Sequence, residues 1–187
     1  KMLSIVIPCY NEENAVIPTL DKIKKVLKNW NEHSFEIIVV NDASTDDSKK
    51  LLEKYTDITL INNPYNLGYG ASLKRGILAA RGENICITDC DGSYFVEAIP
   101  EMYSFIDEYD MVVAERDINS EGVEFIKKYP KKFINFLANV VSPIHIPDLN
   151  SGLRIFDRKK CLQFWEMFPE KFSFTSTITL AFSTHSY

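Results

Sequence analysis

No Gly-x-Gly-x-x-Gly follows the first apolar run of this sequence, and no Gly-x-x-x-x-Gly-Lys-Ser/Thr occurs in it. The turn where a dinucleotide-binding chain carries its glycines reads Pro8-Cys9-Tyr10-Asn11-Glu12, and Gly68 and Gly70 come too late and lack a third member. Dinucleotide and P-loop phosphoryl-transfer sites are thereby set aside. The three histidines, His33, His145 and His185, stand alone without metal-ligand spacing or a serine elbow, and read as ordinary surface or core residues. Only four cysteines are present, Cys9, Cys86, Cys90 and Cys161, with no CxxC pair. They fit free thiols in a reducing cytosol better than a disulfide framework. No signal peptide is visible, and no apolar run approaches the roughly 18 residues that a membrane span needs. Cationic excess is missing too: 21 Lys and Arg against 26 Asp and Glu give a net charge of −5, which disfavours nucleic acid as a partner. There is no internal repeat and no low-complexity tract.

What the chain has is a regular alternation. Its 187 residues, 45% of them apolar, suffice for one domain with a proper core and are too few for two full-sized ones. Residues 3–8 are a short apolar run that Pro8 ends by withholding a backbone donor. Val16, Leu20, Ile23, Leu27 and Trp30 then recur at helical spacing. A second strand is expected at 35–40, then a polar turn over 41–47 whose Ser44 or Thr45 can cap a helix carrying Leu51, Leu52 and Tyr55. A third strand at 58–61 precedes a helix through Leu78 closed by Gly82. The fourth strand runs into residue 88, and the fifth, at 111–114, follows a helix near 98–106. Beyond residue 115 the alternation fades. Residues 115–124 are charged and loop-like, 125–141 look helical apart from Pro130, and 143–147 form a connection. A late strand at 152–156 and helices near 158–166 and 174–184 complete the reading.

Strands about every 25 residues with helices between them are the mark of βαβ crossovers and a mainly parallel sheet flanked by helices. Ligands of such sheets bind beyond the carboxyl ends of the strands. The polar clusters at 8–13, 41–46 and 89–93 all follow strand ends, so they are expected to converge on one crevice.

The stretch Ile85-Cys86-Ile87-Thr88-Asp89-Cys90-Asp91-Gly92-Ser93 ends a buried strand in two carboxylates one residue apart. Alternation along a strand directs Asp89 and Asp91 to one face. Two hard oxygen ligands there can hold a divalent cation against a diphosphate, with water and phosphate oxygens completing an octahedron. The competing reading of an isolated Asp-x-Asp is a solvated turn.

Five motifs taken together carry a resemblance: Ile7-Pro8-Cys9-Tyr10-Asn11-Glu12, Val39-Val40-Asn41-Asp42-Ala43-Ser44-Thr45-Asp46, Asn66-Leu67-Gly68-Tyr69-Gly70-Ala71, Thr88-Asp89-Cys90-Asp91-Gly92 and Asn150-Ser151-Gly152-Leu153-Arg154. In this order they resemble family 2 glycosyltransferases of the GT-A fold, nearest to the dolichol-phosphate mannose synthase and polyprenyl-phosphate glycosyltransferase group. The match spans essentially the whole chain. It implies a single Rossmann-like GT-A domain, with a nucleotide-sugar-binding half over 1–114 and an acceptor-side half over 115–187. That second half stops where relatives continue into a basic segment and, often, membrane helices. By the same resemblance Pro8, Tyr10 and Glu12 line the base and ribose pocket, and Asp42 accepts a hydrogen bond from the nucleobase of a UDP- or GDP-linked sugar. Asp89 and Asp91 ligate Mg²⁺ or Mn²⁺ on the diphosphate, with Cys90 between them in the donor site. The alternative for Tyr10 is a packing residue beneath the first helix. Two positions depart from the family: Asn41 replaces an acid, and Ser93 stands where some relatives add a Gln.

Acceptor class is read from a missing acid. A hydroxyl acceptor needs a positioned base, and many hydroxyl-modifying relatives carry Glu-Asp at the start of a late helix. Here that stretch, 172–180, has no acid. A phosphate monoester is already anionic at neutral pH, so the expected acceptor is a polyprenyl phosphate. Lys127, Lys128, Lys131 and Lys132 lie within six residues and suit an acceptor phosphate and an anionic membrane surface; a solvated helix face is the alternative for Lys127 and Lys128. The resemblance puts Arg116, after the fifth strand, at donor or acceptor phosphate as a catalytic cation, and Lys131 roughly where relatives use Arg at the acceptor phosphate; Arg154, near motifs expected around the crevice, is a further candidate to hold that phosphate. The expected location is cytoplasmic, at the membrane surface or anchored there through a segment not in this chain. The competing functions are a family 2 transferase acting on a glycan or lipid hydroxyl, and a sugar-nucleotide-binding module without turnover.

Overall fold

A computed structural model describes residues 1–30, 33–114, 151–171 and 173–184. The expectations for 115–150, including Arg116, Lys127, Lys128, Lys131 and Lys132, lie outside the described residues.

Six strands form one sheet in the order β3-β2-β1-β4-β6-β5. At its centre, β1 (Met2–Cys9) runs parallel to β2 (Ser34–Asn41), pairing Ile5 with Ile37 and Cys9 with Asn41. On its other side it runs parallel to β4 (Asn84–Ile87), with Val6 opposite Ile87. The short edge strand β3 (Thr59–Asn62) adds to β2 in parallel. Both β1 and β4 are buried on two faces, so their sequences are nearly continuous apolar runs. Beyond β4 the direction reverses: β6 (Arg154–Asp157) is antiparallel to β4 and to the outer strand β5 (Met111–Val113). The mainly parallel sheet is as expected, with one strand inverted.

Alternation along the strands builds two apolar layers. Leu3, Ile5, Ile7 and Val39 face Leu20, Ile23 and Leu27 of α1 (Val16–Lys28), joined by Met102 and Tyr103 of α4 (Ile99–Ser104). Pro18 falls in the first turn of α1, where its missing N–H is harmless. Val6, Ile38, Val40, Ile85 and Ile87 face Leu73 and Ile77 of α3 (Tyr69–Ala79) and Phe174 and Ile178 of α6 (Phe174–Thr184). Two shorter helices, α2 (Ser48–Lys54) and α5 (Arg158–Gln163), complete the described set. Helix α3 lies unusually close to the sheet. A Cβ at Gly76 would come 2.3 Å from Val6 Cγ1, which is why that position has no side chain.

Several boundaries differ from the sequence reading. Helix α4 is shorter than expected and is preceded by a 3-10 turn, Val96–Ala98. Neither Ser44 nor Thr45 caps α2, whose N-cap is Asp47; the Ser44 hydroxyl instead accepts from the Asn11 amide, because that loop turns toward β1. Gly82 does not close α3, which ends at Ala79. It lies against β1, where a Cβ would meet Ser4 Oγ at 2.6 Å and Met2 O at 2.8 Å. Among the described residues no helix is long and apolar enough to cross a membrane.

Candidate active site

The carboxyl ends of β1, β2 and β4 open into a cavity of about 850 Å³. Its wall contains Pro8, Tyr10, Glu12, Asp42, Asp89, Cys90 and Asp91, so the three polar clusters do converge. The wall also holds Tyr69, Tyr94, Gly152, Lys171 and Thr175, none of which the sequence reading had given a role.

Two loops form the β1–β2 side, and hydrogen bonds stitch them together. Asn11, held at φ 55°, accepts at Oδ1 from the Thr45 amide (2.7 Å) and donates its own amide to Ser44 Oγ (3.1 Å). The Glu12 amide donates to Ser48 Oγ and the Glu13 amide to Asp46 Oδ2, while Glu13 returns the bond by accepting from the Asp47 amide. Tyr10 stands clear of this framework at 46% exposure. It is not a packing residue under α1; its ring is free to meet a planar ligand.

Asp42 is almost fully buried, and three donors already reach it. Asn63 Nδ2 (2.6 Å) and the Leu67 amide (2.8 Å) donate to Oδ1, and the Gly68 amide (2.9 Å) to Oδ2. It therefore ties down the 66–68 turn in addition to facing the cavity. Gly68 takes φ 98°, a left-handed conformation that a side chain disfavours. The next residue, Tyr69, donates its phenol to Asp89 Oδ1 at 2.9 Å. Burial and the neighbouring Asp89 charge push the Tyr69 phenol well above its ordinary value, so it stays a donor.

Strand β4 stops at Ile87, so Asp89 and Asp91 stand beyond it in the following turn, and both line the cavity. Asp89 is flanked by Tyr69 and by Gly152, where a Cβ would lie 2.8 Å from Asp89 Oδ2. The Gly152 amide donates to the Tyr94 phenol at 2.6 Å, which fixes that close approach. Asp91 is exposed and accepts the Ser93 amide at Oδ1, with Gly92 turning the chain at φ 75°. Cys90 sits behind the two acids with its side chain buried. A hydrogen bond to Cys9, and then burial, push its thiol up, so it contributes apolar wall.

Arg154 is the clear correction. It was expected at the acceptor phosphate, yet its side chain is 0% exposed and its guanidinium faces inward. Nε and Nη2 donate to Ser151 O, and Nη1 to Thr175 O (2.8 Å) and Thr179 Oγ1 (2.6 Å). A buried guanidinium needs such acceptors, and here they join the start of β6 to α6. Its part in the site is to fix Gly152 and Thr175 from behind.

The cavity's electrostatics suit a cation. Burial, and then the charges of Asp91, Asp46 and Asp89, push the Glu12 carboxyl up, so negative charge gathers on the described part of the wall. Two aspartates offer the hard oxygen donors that Mg²⁺ and Mn²⁺ prefer. Among the described residues no group of three or more His, Cys, Asp or Glu is set to hold a metal alone. The fit is to an ion sharing its shell with a ligand's own oxygens.

A family model described as Glycosyl transferase family 2 matches residues 4–165. The chain belongs to glycosyltransferase family 2. Within it, the dolichyl-phosphate beta-glucosyltransferase ALG5A of Trichomonas vaginalis is 32% identical over 178 residues, covering 85% of this chain and 54% of that protein. The chain thus spans about half the length of the curated relatives it matches. Among solved structures, S. aureus TarS 1-349 in complex with UDP aligns with a TM-score of 0.69 at 23% identity, over 97% of this chain and 55% of that one. The mannosyltransferase PcManGT from Pyrobaculum calidifontis, in complex with GDP-Man and Mn²⁺, aligns with a TM-score of 0.65 at 20% identity, over 96% and 51%. These likenesses establish the family 2 chain as a GT-A fold.

Proposed function

We propose that the protein transfers a sugar, with inversion, from a UDP- or GDP-linked donor to a polyprenyl phosphate. The observation that carries this reading is that Asp89 and Asp91 line the same cavity as Tyr10 and Asp42. Such a set suits a ligand that carries both a planar base and a diphosphate. Tyr10 offers a ring face, and Asp42 retains acceptor capacity on Oδ2 for a base N–H. Pro8 and Glu12 close the ribose side.

The lipid-phosphate acceptor is supported by α6. Its first turn presents Thr175 to the cavity, and 172–180 contains no carboxylate to take a proton from an alcohol. A phosphate monoester, with a second pKa near about 6, arrives as an anion. The dolichyl-phosphate acceptor in the name of the T. vaginalis relative points the same way. In the step, an acceptor phosphate oxygen attacks C1 of the sugar, the C1–O bond to the diphosphate breaks, and the nucleoside diphosphate leaves with the bonding pair. Asp89 and Asp91 would hold Mg²⁺ or Mn²⁺, which would supply Lewis-acid stabilisation of that leaving group. Arg116 and Lys131 are proposed as the cations that hold phosphate at the acceptor side. A membrane surface is the natural place to meet such an acceptor.

The test is a screen of UDP- and GDP-sugars with Mn²⁺ and a short polyprenyl phosphate, reading released nucleoside diphosphate and the lipid product. Asp91→Ala is expected to lose transfer by more than about 100-fold with an unchanged circular dichroism melt. Full activity in that variant, or transfer only to sugar alcohols, overturns the proposal. Nucleotide binding without product under every condition would indicate a binding module.

A further inference from the structure

The cavity wall is acidic, with Glu12, Asp42, Asp89 and Asp91 all on it, and among its described residues Lys171 is the one cation. Lys171 is exposed, and among the described residues it makes no ion pair. Other lysines near this end are engaged elsewhere: Lys22 pairs with Glu97, and Lys74 lies over the Trp165 ring. The position of Lys171 is built. Glu170 O accepts the Ala71 amide at 2.8 Å, and a Cβ at Gly70 would come within 2.3 Å of Pro169 O and 2.7 Å of Lys171 O. The 169–171 segment can lie against the first turn of α3 only because position 70 has no side chain. That contact sets Lys171 beside Gly68, whose amide holds Asp42 and whose neighbour in the chain, Tyr69, holds Asp89 through its phenol.

We propose that Lys171 is a substrate-binding residue whose ammonium contacts a phosphate oxygen in this cavity. The inference rests on the transferase reading above, and its reason is charge. The donor diphosphate and the acceptor phosphate are both anionic, whereas the wall that must receive them is acidic. A divalent ion held by Asp89 and Asp91 would address part of the diphosphate charge, and on the described part of the wall Lys171 is the side chain that can meet more of it, beside the Arg116 and Lys131 proposed for the acceptor side. A lysine, a compact point charge on a flexible stem, is suited to that second contact. The phosphate contacted belongs either to the donor or to the acceptor, and the two are separable by experiment.

The full chain and its Lys171→Ala, Lys171→Gln and Lys171→Arg variants would be titrated calorimetrically with UDP, GDP and the matching nucleosides in Mn²⁺. Steady-state kinetics with polyprenyl phosphate would follow. If the donor is contacted, Ala and Gln weaken nucleoside diphosphate binding about tenfold and leave nucleoside binding unchanged. If the acceptor is contacted, diphosphate binding is unchanged and KM for polyprenyl phosphate rises about tenfold at constant kcat. In both cases Arg restores most of the loss, and the salt dependence of the affected constant flattens. Unchanged diphosphate affinity together with unchanged acceptor KM in Lys171→Ala overturns the proposal while leaving the transferase reading intact. A wild-type chain that binds neither nucleotide overturns both.

Discussion

Tyr69 shows how much of the site depends on a residue that carries no charge. Its phenol donates to Asp89 Oδ1 from the first position of α3, and Gly152 bounds the same carboxylate from the other side. Asp89 is therefore held in one orientation before any ion arrives, which is what a metal ligand requires of its surroundings. Tyr69→Phe keeps the ring and removes only that donor. Mn²⁺ affinity in the presence of UDP or GDP, followed by electron paramagnetic resonance, is expected to fall about tenfold, with the affinity for the nucleoside unaltered. Sequence alone found the acids and missed their holder: the Asp-x-Asp pattern is short and local, whereas the Tyr69–Asp89 contact joins two crossovers. Arg154 failed in the opposite way. Arginines are seldom fully buried, so a charged residue near a crevice reads as a substrate contact until the carbonyls that surround it are seen.

At the level of strands and helices, Glu36 ties three elements together. On β2, its carboxylate accepts from Ser4 Oγ of β1 (2.7 Å) and from the Arg81 amide (2.7 Å) and Nε (3.0 Å) between α3 and β4. Burial pushes the Glu36 carboxyl up, but these donors outweigh it and hold it below the usual 4.5. The sign follows: the unfolded chain takes up this proton first as pH falls, so the stabilisation is fully present above 4.5 and lost as pH drops through the lower folded value. Glu36→Ala is expected to lower stability by about 1–3 kcal/mol at pH 7, mainly through the hydroxyl and amide left without an acceptor. The exposed guanidinium adds little. Urea melts at pH 7 and pH 3 check this, with the difference from wild type shrinking at the lower pH. The strands themselves were legible in the sequence because strands buried on both faces must be apolar throughout. The antiparallel course of β6 was not, since strand direction leaves no periodicity to read. Gly82 was misread because a glycine after a helical run looks like a cap, and its actual requirement is the close passage of β1.

Across the molecule, the site forms where the sheet changes character. Parallel strands β1 and β2 hold the loops proposed to face a base, and β4, between parallel β1 and antiparallel β6, leads into the two acids. Convergence of distant polar clusters was foreseeable from alternation alone, because every parallel strand ends on the same side. The 169–171 segment was not, since its place depends on the missing side chain of Gly70. The two stitched loops predict their own behaviour in the absence of ligand. Amide exchange at Glu12, Glu13, Thr45 and Asp47 is expected to be slow in the free protein and to change less than tenfold when nucleotide is added, as hydrogen–deuterium exchange would report. Reciprocal bonding between these loops has an evolutionary corollary. Replacing one partner strips its opposite number of a bond, so substitutions in one loop are expected to be accompanied by substitutions in the other among homologues.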